Sequence, residues 1–436
     1  MLRQLLRELC HLESHYSCSR SPPSDPRRSF SDINELTPEY CDAIMAAGKS
    51  KGLDSCKPPP SKKSKKERNQ RKVNENVSSD EILGQIWKEF PEDLFEAVIA
   101  RLPVSTVFRF RTVCRKWNSM LHSQTFSEQC SQVQQRYPWF FTITHDNFSY
   151  GVMYDPSSKK WHHPTLSFLP MKIIALPVAS AGGLVCFVDI GHKNFFVCNP
   201  LTRSFKELPA RSVRVWSQVA VGMVLDESSP KAGYKIMWLG CDGECGVYDS
   251  VKNAWFRPGN MPPHIRLPLS LNFKSQAISI GTRLYFMLAD PEGIISYDMS
   301  TGTWKQFIIP SPPLVADHAL AVCGGRIMLV GLLSKNAATC VCIWELQRMT
   351  LLWKEVDRMP NIWSMEFYGR HIKMTCLGNK GLLMLLLRSR QMNRVIMYDA
   401  SKREWTKVPT CTVPYSRKRQ WLASGTAFHP CATAVA

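Results

Sequence analysis

The 436-residue sequence predicts a mostly β protein, in which a six-bladed β-propeller follows a small three-helix module and a disordered, basic N-terminal region. Three observations predict this organisation. A short phrase recurs six times at nearly even spacing, strand-like patterns dominate from Pro138 to Pro430, and residues 1 to about 80 are poor in aromatic side chains. The predicted boundaries are 1–81 for the N-terminal region, 82–130 for the helical module and 137–430 for the propeller.

The recurring phrase usually places an aromatic residue before Asp or Asn and ends a few residues later with Trp or Phe. Its six copies begin at Tyr154, Cys198, Tyr248, Tyr297, Trp344 and Tyr398. The acidic or amide positions are residues 155, 199, 249, 298, 345 and 399, and the steps between them are 44, 50, 49, 47 and 54 residues. A period near 50 residues that is kept over six copies is typical of a propeller built from four-stranded blades.

Each copy of the phrase is interpreted as a hairpin between two neighbouring strands. The Asp or Asn side chain bonds its own backbone and starts a turn, after which the chain reverses into a strand that opens with Trp or Phe. The two large rings then lie on adjacent strands and pack across the sheet. The alternative is a set of unrelated hairpins in a β-sandwich, but sandwich turns need not recur at one period.

The second blade shows the expected order of four strands, named A to D along the chain. Strand A ends at Gly182-Gly183, B spans 184–189, C spans 195–199 and D spans 205–208. The glycines suit a tight A–B turn, which needs positive φ angles.

Blade one has no strand A before its strand B. Residues 139–144 are its strand B, residues 150–155 its strand C, and Trp161 begins strand D. A spare strand candidate, 422–428, lies near the other end of the chain. Pairing it into blade one completes six blades and removes the open edge that a propeller must hide. The alternative is that this segment forms a loose C-terminal tail.

The helical module begins near Ile82. The stretch 90–94 predicts a helix start, because Pro stands in the first turn and acidic residues lie at the positive end of the helix. Leu94, Val98 and Leu102 then follow a helical period, and Pro103 ends the helix.

Two further helices are expected in the module. One runs from Ser105 to about Arg111, and the other carries Val113, Trp117 and Leu121 on one stripe. A module of about 40 residues holds too few large apolar side chains to close a core alone. Several of these side chains should therefore face a partner.

The offsets of these residues resemble the F-box, the adaptor-binding motif of SCF-type ubiquitin ligases, over about residues 88–128. The resemblance implies that the module binds a Skp-family adaptor. The residues that the resemblance assigns to this contact are Phe90, Pro91, Leu94, Ile99, Leu102, Pro103, Phe108, Val113 and Trp117. The family usually has Leu at the position of Phe90.

The order of glycine, Tyr and Trp in the blades resembles the kelch repeat, so the whole chain resembles a plant F-box/kelch-repeat protein. This resemblance implies a non-catalytic, substrate-recognition subunit of an SCF (Skp-cullin-F-box) ubiquitin ligase, without a metal or cofactor. The F-box would dock the Skp adaptor and through it the cullin, and the propeller would hold the target protein. Holding a target raises the effective concentration of its lysines near the conjugating enzyme.

The order of the strands also predicts which face of the disc is free to bind a target. In an antiparallel blade the A–B and C–D turns lie on one face, and the B–C and D–A connections lie on the other. The helical module enters blade one at the start of strand B, so it should attach to the A–B face.

The opposite face gathers cations, which are the predicted contacts for the target. They are Arg211, Arg214, Arg266, Arg370, Arg388, Arg390, Arg417 and Arg419. We expect a basic sector around blades five, six and one, which favours an acidic or phosphorylated peptide through bidentate arginine contacts. The alternative is that these charges are dispersed and solvated.

Part of the net charge of +19 lies in the N-terminal region. The run Lys57–Lys72 holds eight basic residues and one acid, and Lys62-Lys63-Ser64-Lys65-Lys66 resembles a nuclear-import signal. A solvated linker is the alternative for this run. The remaining charge is spread along the chain with no nucleic-acid-reading motif, so nucleic-acid binding is an alternative that the sequence favours less.

Cysteine spacing and hydropathy predict a soluble protein of the nucleus or cytoplasm. The sixteen cysteines follow no disulfide or metal spacing, which indicates a reducing compartment and no zinc site. The N-terminus lacks the apolar core of a signal peptide. The longest apolar run, 382–387, is too short to cross a bilayer, so no membrane contact is expected.

An enzyme built on the propeller is the remaining alternative. The stretches 296–298 and 302–304 partly resemble the Asp-box of sialidases, but the other blades do not repeat this pattern. Kelch folds also include a copper oxidase, although no Cys, Tyr and His ligand set at a suitable spacing is visible here. The sequence therefore assigns no catalytic residue and favours a binding protein.

Overall fold

The chain from residue 91 onward forms short helices and then antiparallel strands. The computed structural model describes residues 91–110, 113–133, 138–144, 151–164, 166, 168, 175–189, 194–210, 219–226, 233–240, 243–259, 261–263, 265–267, 277–335, 338–412 and 419–436. The predicted disordered region, with its basic run, lies outside these ranges, as does Phe90. Of the helices within them, none has the length and hydrophobicity of a membrane span.

The module contains one helix more than the sequence predicts. Its helices are α1 (Glu92–Ala100), α2 (Val104–Phe110), α3 (Arg115–Met120) and α4 (Gln124–Gln132). Ser123 caps the additional helix α4, because its hydroxyl accepts a hydrogen bond from the Phe126 amide at 3.1 Å. The Phe126 ring is buried in the core of the module. The cap and this buried ring both help to hold the mostly polar helix α4 in place.

In the described part of the chain, the strands form six antiparallel sheets of four strands each. Blade one contains β1 (Trp139–Thr144), β2 (Gly151–Asp155) and β3 (Lys160–His162). Blade two contains β4 (Ala175–Ala181), β5 (Leu184–Asp189), β6 (Phe195–Cys198) and β7 (Phe205–Glu207). Blade three contains β8 (Val219–Asp226), β9 (Gly233–Gly240), β10 (Cys245–Asp249) and β11 (Ala254–Phe256).

The next three blades keep the same order. Blade four contains β12 (Ile278–Ile280), β13 (Arg283–Ala289), β14 (Glu292–Asp298) and β15 (Thr303–Ile308). Blade five contains β16 (Val315–Cys323), β17 (Arg326–Lys335), β18 (Ala338–Leu346) and β19 (Trp353–Arg358). After a short helix α5 (Asn361–Ser364) and a 3-10 turn (Met365–Phe367), blade six contains β20 (Lys373–Asn379), β21 (Leu382–Arg388), β22 (Asn393–Asp399) and β23 (Glu404–Lys407).

The last strand, β24 (Leu422–Phe428), completes blade one. It pairs antiparallel with β1, with Trp139 opposite Phe428 and Phe141 opposite Thr426. The predicted closure is therefore confirmed. The pairing joins the two ends of the propeller by main-chain hydrogen bonds and covers the edge of β1 that would otherwise be open.

Contacts between the innermost strands complete the ring. The first strands of the blades, with β24 serving blade one, each contact the first strand of the next blade. Six buried apolar clusters lie between successive blades, each drawing its side chains from two neighbouring sheets. The outermost strands, such as β3 and β23, contain no buried side chain. The hydrophobic core is thus divided among the six blade interfaces rather than collected at one centre.

The recurring phrase forms the C–D turn of each blade, as expected. The carboxylate of Asp155 accepts a hydrogen bond from the Ser157 amide at 2.9 Å, and Asp249, Asp298 and Asp399 accept from amides in the same way. In four blades the Tyr ring packs on the opposing Trp ring at centroid distances of 4.7–5.3 Å. These ring pairs tie strand C to strand D.

In blade five the C–D turn lies further along the chain than the repeat predicts. The sequence places Glu345 at the turn position, but the turn begins at Gln347, whose carbonyl accepts from the Leu351 amide at 2.8 Å. The equivalent bond in blade two joins the Arg203 amide to the Asn199 carbonyl at 2.9 Å. Glu345 instead pairs with Lys354 inside the hairpin. The two extra residues of this copy therefore lengthen the strands and not the turn.

Candidate functional site

The helical module has a small core of its own. Ile99, Val107, Leu121 and Phe126 are buried against one another. The Glu96 carboxylate accepts hydrogen bonds from the hydroxyls of Ser123 at 3.2 Å and Thr125 at 3.0 Å, which links α1 to α4. This core holds α1 and α4 together with one buried apolar side chain from each.

Other apolar side chains of the module face the solvent. Leu94 is 51% exposed and Val113 is 58% exposed. Pro91 and Pro103 are also exposed, and Leu102 is half-buried. These five residues belong to the predicted adaptor contact. The structure leaves four of them accessible to a partner, whereas Leu102 packs against the core of the module.

Trp117 and Phe108 of the predicted contact are half-buried. The Trp117 ring lies between Phe95, at a centroid distance of 5.4 Å, and Phe110, at 4.6 Å. This packing fixes the orientation of α3 against α1 and α2 while part of the indole stays accessible.

Ile99 is a correction to the predicted contact. Its side chain is only 1% exposed and lies in the core of the module. The helical period of the sequence places Ile99 on α1 but does not say whether its stripe faces inward or outward. The structure assigns it to folding the module, where it cannot reach a partner.

The exposed side of α1 is also charged. The Lys116 ammonium lies 2.5 Å from the Glu92 carboxylate, which raises the pKa of Lys116 through a hydrogen bond and the opposite charge. This ion pair joins α3 to the first turn of α1 beside Pro91. It is fully exposed, so its contribution to stability is small.

The C-terminal tail, residues 429–436, joins the module to the propeller. Ala432 packs against the core of the module. The Asn199 amide nitrogen in blade two donates to the carbonyls of Cys431 at 2.8 Å and Ala434 at 2.9 Å. The Ala436 amide donates to the Ser204 hydroxyl at 2.7 Å. The tail therefore rests on the C–D turn of blade two.

The A–B turn of blade two also receives the tail. Gly183 has a φ of 89°, and a Cβ at this position would meet the Cβ of Cys431 at 2.4 Å. Only glycine allows this close approach. The module is thus held at the face of the A–B and C–D turns, as the strand order predicts.

The opposite face carries the described members of the predicted basic sector. Arg388 is the last residue of β21, Arg390 belongs to the B–C connection that follows it in blade six, and Arg370 belongs to the connection that leads into that blade. Lys373 lies opposite Arg388 in the β20–β21 ladder. Arg370 and Lys373 also line a cavity of about 210 Å³ between blades five and six. Lys373 was not among the cations predicted from the sequence. Because Lys373 is the first residue of a strand A, its position on this face could have been predicted from the order of the strands.

Two further predicted cations lie outside this group. Arg266 lies between blades three and four, where its backbone pairs with Asp290. Arg419 pairs with Thr412 in the connection from blade six to blade one. The remaining predicted contacts, Arg211, Arg214 and Arg417, lie outside the described residues. Among the described residues, the predicted cations that lie near one another are therefore those beside the first strand of blade six.

A second cavity, of about 400 Å³, lies beside α5 and the outer strands of blade six. The Glu366 carboxylate at its edge is bound by Lys407 at 2.5 Å and by Arg394 at 3.0 Å. These cations lower the pKa of Glu366. Lys407 also lies 5.2 Å from the centre of the Trp363 ring. Apolar side chains therefore border this cavity, and the one acid that lines it is already paired with two cations.

The stretch that resembles an Asp-box is a structural turn. Hydrogen bonds from Ser300 and Arg283 hold the pKa of Asp298 well below its usual range. The Arg283 guanidinium lies 2.8 Å from this carboxylate. Both oxygens of Asp298 are thus used within blade four, so this carboxylate holds its own turn.

Metal ligands and paired thiols do not gather in the described ranges. There, no three side chains of His, Cys, Asp or Glu come together as a metal site. The eleven cysteines in these ranges are free thiols.

Comparison with known proteins gives two family matches. Residues 87–129 match the F-box domain, and residues 141–409 match the F-box associated beta propeller domain. F-box only protein 6 of Arabidopsis thaliana is 63% identical over 407 residues, which cover 91% of this chain and 86% of that protein. An F-box/kelch-repeat protein of Arabidopsis thaliana is 34% identical over 406 residues, covering 82% of this chain and 90% of the relative. Protein UNUSUAL FLORAL ORGANS of the same plant is 26% identical over 369 residues, covering 76% and 80%.

Proposed function

Because the chain belongs to the plant F-box proteins that carry an F-box associated β-propeller, we propose that it is the substrate-recognition subunit of an SCF-type ubiquitin ligase. In this proposal the F-box binds a Skp-family adaptor, which connects it to a cullin. The propeller binds the target protein and presents its lysines to a separate conjugating enzyme. The chain carries out no chemical step itself, and it acts in the nucleus or the cytoplasm.

The observation that carries the proposal is the exposure of apolar side chains on the F-box. A module with its own buried core leaves Leu94 and Val113 more than half exposed, and Pro91 is exposed as well. Exposed apolar side chains that lie together on one module mark a contact with another protein. Burying the exposed half of each of two such side chains contributes on the order of 1 kcal/mol to binding.

The position of the F-box on the disc also supports the proposal. The tail holds the F-box at the face of the A–B and C–D turns in blade two. The opposite face is left to carry a target, so the adaptor and the target do not compete for one surface.

The test is a double substitution in the F-box, Pro91→Ala with Leu94→Ala. We expect it to abolish adaptor capture in a pull-down, because both residues are exposed at the start of α1 and neither belongs to the buried core of the module. The thermal unfolding of the propeller should not change. The matched control is Leu352→Ala in blade five, where an equally exposed leucine should be dispensable for adaptor binding. An adaptor captured equally well by the double variant would refute the proposal.

A further inference from the structure

The segment between blades five and six, Asn361–Lys373, exposes three large apolar side chains within seven residues. Ile362 is 76% exposed, Met365 is 64% exposed and Tyr368 is 55% exposed. This segment, called here the insert, connects strand D of blade five with strand A of blade six. It therefore lies on the face opposite the F-box.

The insert is anchored on its other side, so its exposed side chains are held in place. Phe367 is buried in the cluster between blades five and six, and Trp363 packs against the same cluster. The Ser364 amide donates to the Pro360 carbonyl at 3.2 Å, and the Arg370 amide donates to the Phe367 carbonyl at 3.1 Å. A segment fixed in this way presents its apolar side chains to water at constant positions, which is typical of an interaction surface.

Both cavities described above border the insert. Trp363 and Phe367 line the cavity of about 400 Å³, together with Val395 and Val408 of blade six. Arg370 and Lys373 line the cavity of about 210 Å³ at the other end of the insert. The exposed apolar side chains thus belong to a segment with a recess at each end, which provides room for the side chains of a partner.

The charge beside the insert is mainly positive, and the one acid that lines the smaller cavity, Asp317, accepts a hydrogen bond from the Met374 amide at 3.2 Å. Arg370 and Lys373 are exposed in the insert, and Arg390 is exposed in the neighbouring connection of blade six. The one acid of the insert, Glu366, is neutralised by Lys407 and Arg394. An acidic partner would therefore complement this surface and a basic one would be repelled.

A second copy of the chain fits this surface poorly. A two-fold contact is self-complementary, so each residue near the axis meets its own counterpart. Such a contact would bring Arg370 and Lys373 of one copy against the same cations of the other. Like charges opposed across an interface destabilise it.

We infer that the insert is the surface that docks the target, and that it takes an extended target segment in which bulky apolar side chains adjoin acidic residues. The inference rests on the proposed function, since it names the chemistry of the target that a substrate receptor would hold. The apolar side chains of the target would pack on Ile362, Met365 and Tyr368. Its carboxylates would bind Arg370 and Lys373.

The test selects ligands from a library of random peptides, about twelve residues long, displayed on phage. The bait is the full chain in complex with its Skp adaptor. We expect the enriched peptides to combine apolar residues with Asp or Glu. Peptides enriched in Lys or Arg, or no enrichment at all, would contradict the inference.

Variants then locate the binding site of the enriched peptides. Ile362→Asp with Met365→Asp should weaken their binding at least about tenfold, because the apolar contact is lost. Arg370→Glu with Lys373→Glu should do the same by reversing the charge. The matched control is Met349→Asp, since Met349 is 95% exposed in blade five but lies in the C–D turn on the other face. Equal binding by the wild type and both double variants would overturn the inference.

Two further measurements separate this inference from the proposed function. Adaptor binding by the same variants should be unchanged, because all the substitutions lie in the propeller. If the wild-type chain did not bind the adaptor, the proposed function would be refuted, but the peptide-binding result would remain valid. Light scattering tests whether a second copy of the chain binds the insert. If the wild type were a dimer and Ile362→Asp made it a monomer, the insert would be assigned to self-association and the inference would be overturned.

Discussion

At the scale of single residues, a buried amide joins the two ends of the propeller. The side chain of Asn379, the last residue of β20 in blade six, donates to the carbonyl of Trp139 at 2.9 Å and to that of Phe428 at 3.1 Å. These carbonyls belong to the first residue of β1 and the last residue of β24. One side chain therefore satisfies two acceptors at the closure, and only a side chain with two N–H donors can do so.

Asn379→Asp should destabilise the propeller by about 3 kcal/mol or more. The substitution buries a carboxylate against two carbonyl oxygens and removes both donors. We expect the melting temperature to fall by roughly 5–10 °C in differential scanning calorimetry. The control is Asn253→Asp, because the Asn253 side chain accepts a hydrogen bond from the Tyr248 hydroxyl at 2.8 Å and a carboxylate can also accept it. If both variants melted alike, the role of the Asn379 donors would be disproved.

His429 gives the closure a dependence on pH. Burial, and to a lesser extent the charge of Lys380, lowers the pKa of His429 to about 4. The folded state thus keeps this imidazole neutral while the unfolded chain protonates it at its ordinary pKa of about 6.5. The contribution of the neutral His429 to folding stability is therefore fully present above about pH 6.5. It is lost as the pH falls from 6.5 towards 4.

His429→Gln should reduce this loss. We expect the variant to lose about 2 kcal/mol less than the wild type between pH 7 and pH 4.5, measured by urea unfolding at each pH. Burial also lowers the pKa values of His162, His163 and His318, so part of the pH dependence should remain. Identical curves for the two proteins would exclude His429 as a source of the acid sensitivity.

At the scale of elements, the last strand closes the propeller, and the tail that follows it holds the F-box. Deleting residues 421–436 removes β24 and leaves β1 as an open edge with its main-chain groups unpaired. We expect the melting temperature of the propeller to fall by more than about 10 °C, or the protein to aggregate. Deleting only residues 430–436 keeps β24 but removes the hydrogen bonds between the tail and blade two, so the melting temperature should fall by much less than in the longer deletion. If the longer deletion left the melting temperature unaltered, closure by β24 would not stabilise the propeller.

The elements that could be predicted are those whose sequence pattern has one interpretation. The bounds of β1, β5 and β24 agree with the sequence analysis, because apolar runs bounded by turn residues can be little else once a period near 50 residues is seen. Helix α4 was missed because its nine residues are mostly polar, and the signal was only the cap Ser123 three residues before Phe126. The turn at Gln347 was misplaced because Glu345 matches the phrase better by residue type.

The sites were harder to predict than the fold. A helical period places Ile99 and Leu94 on one helix, but it does not reveal that the first is buried and the second exposed. Strand order predicted the face that holds the F-box and the face that carries Arg370. It did not identify Ile362 and Met365, because apolar residues in a sequence are ordinarily assigned to the core and their exposure depends on how Phe367 anchors the insert.

At the scale of the whole molecule, the pairing of β1 with β24 sets the order of events during synthesis. Thr144 pairs with Leu422, so the partner of β1 is translated about 280 residues after it. At ribosomal rates on the order of 5–20 residues per second, this delay lasts roughly 15–60 s. Until then the nascent chain exposes one edge of β1, whose other edge pairs with β2, and it is most vulnerable to aggregation just before the ribosome completes β24.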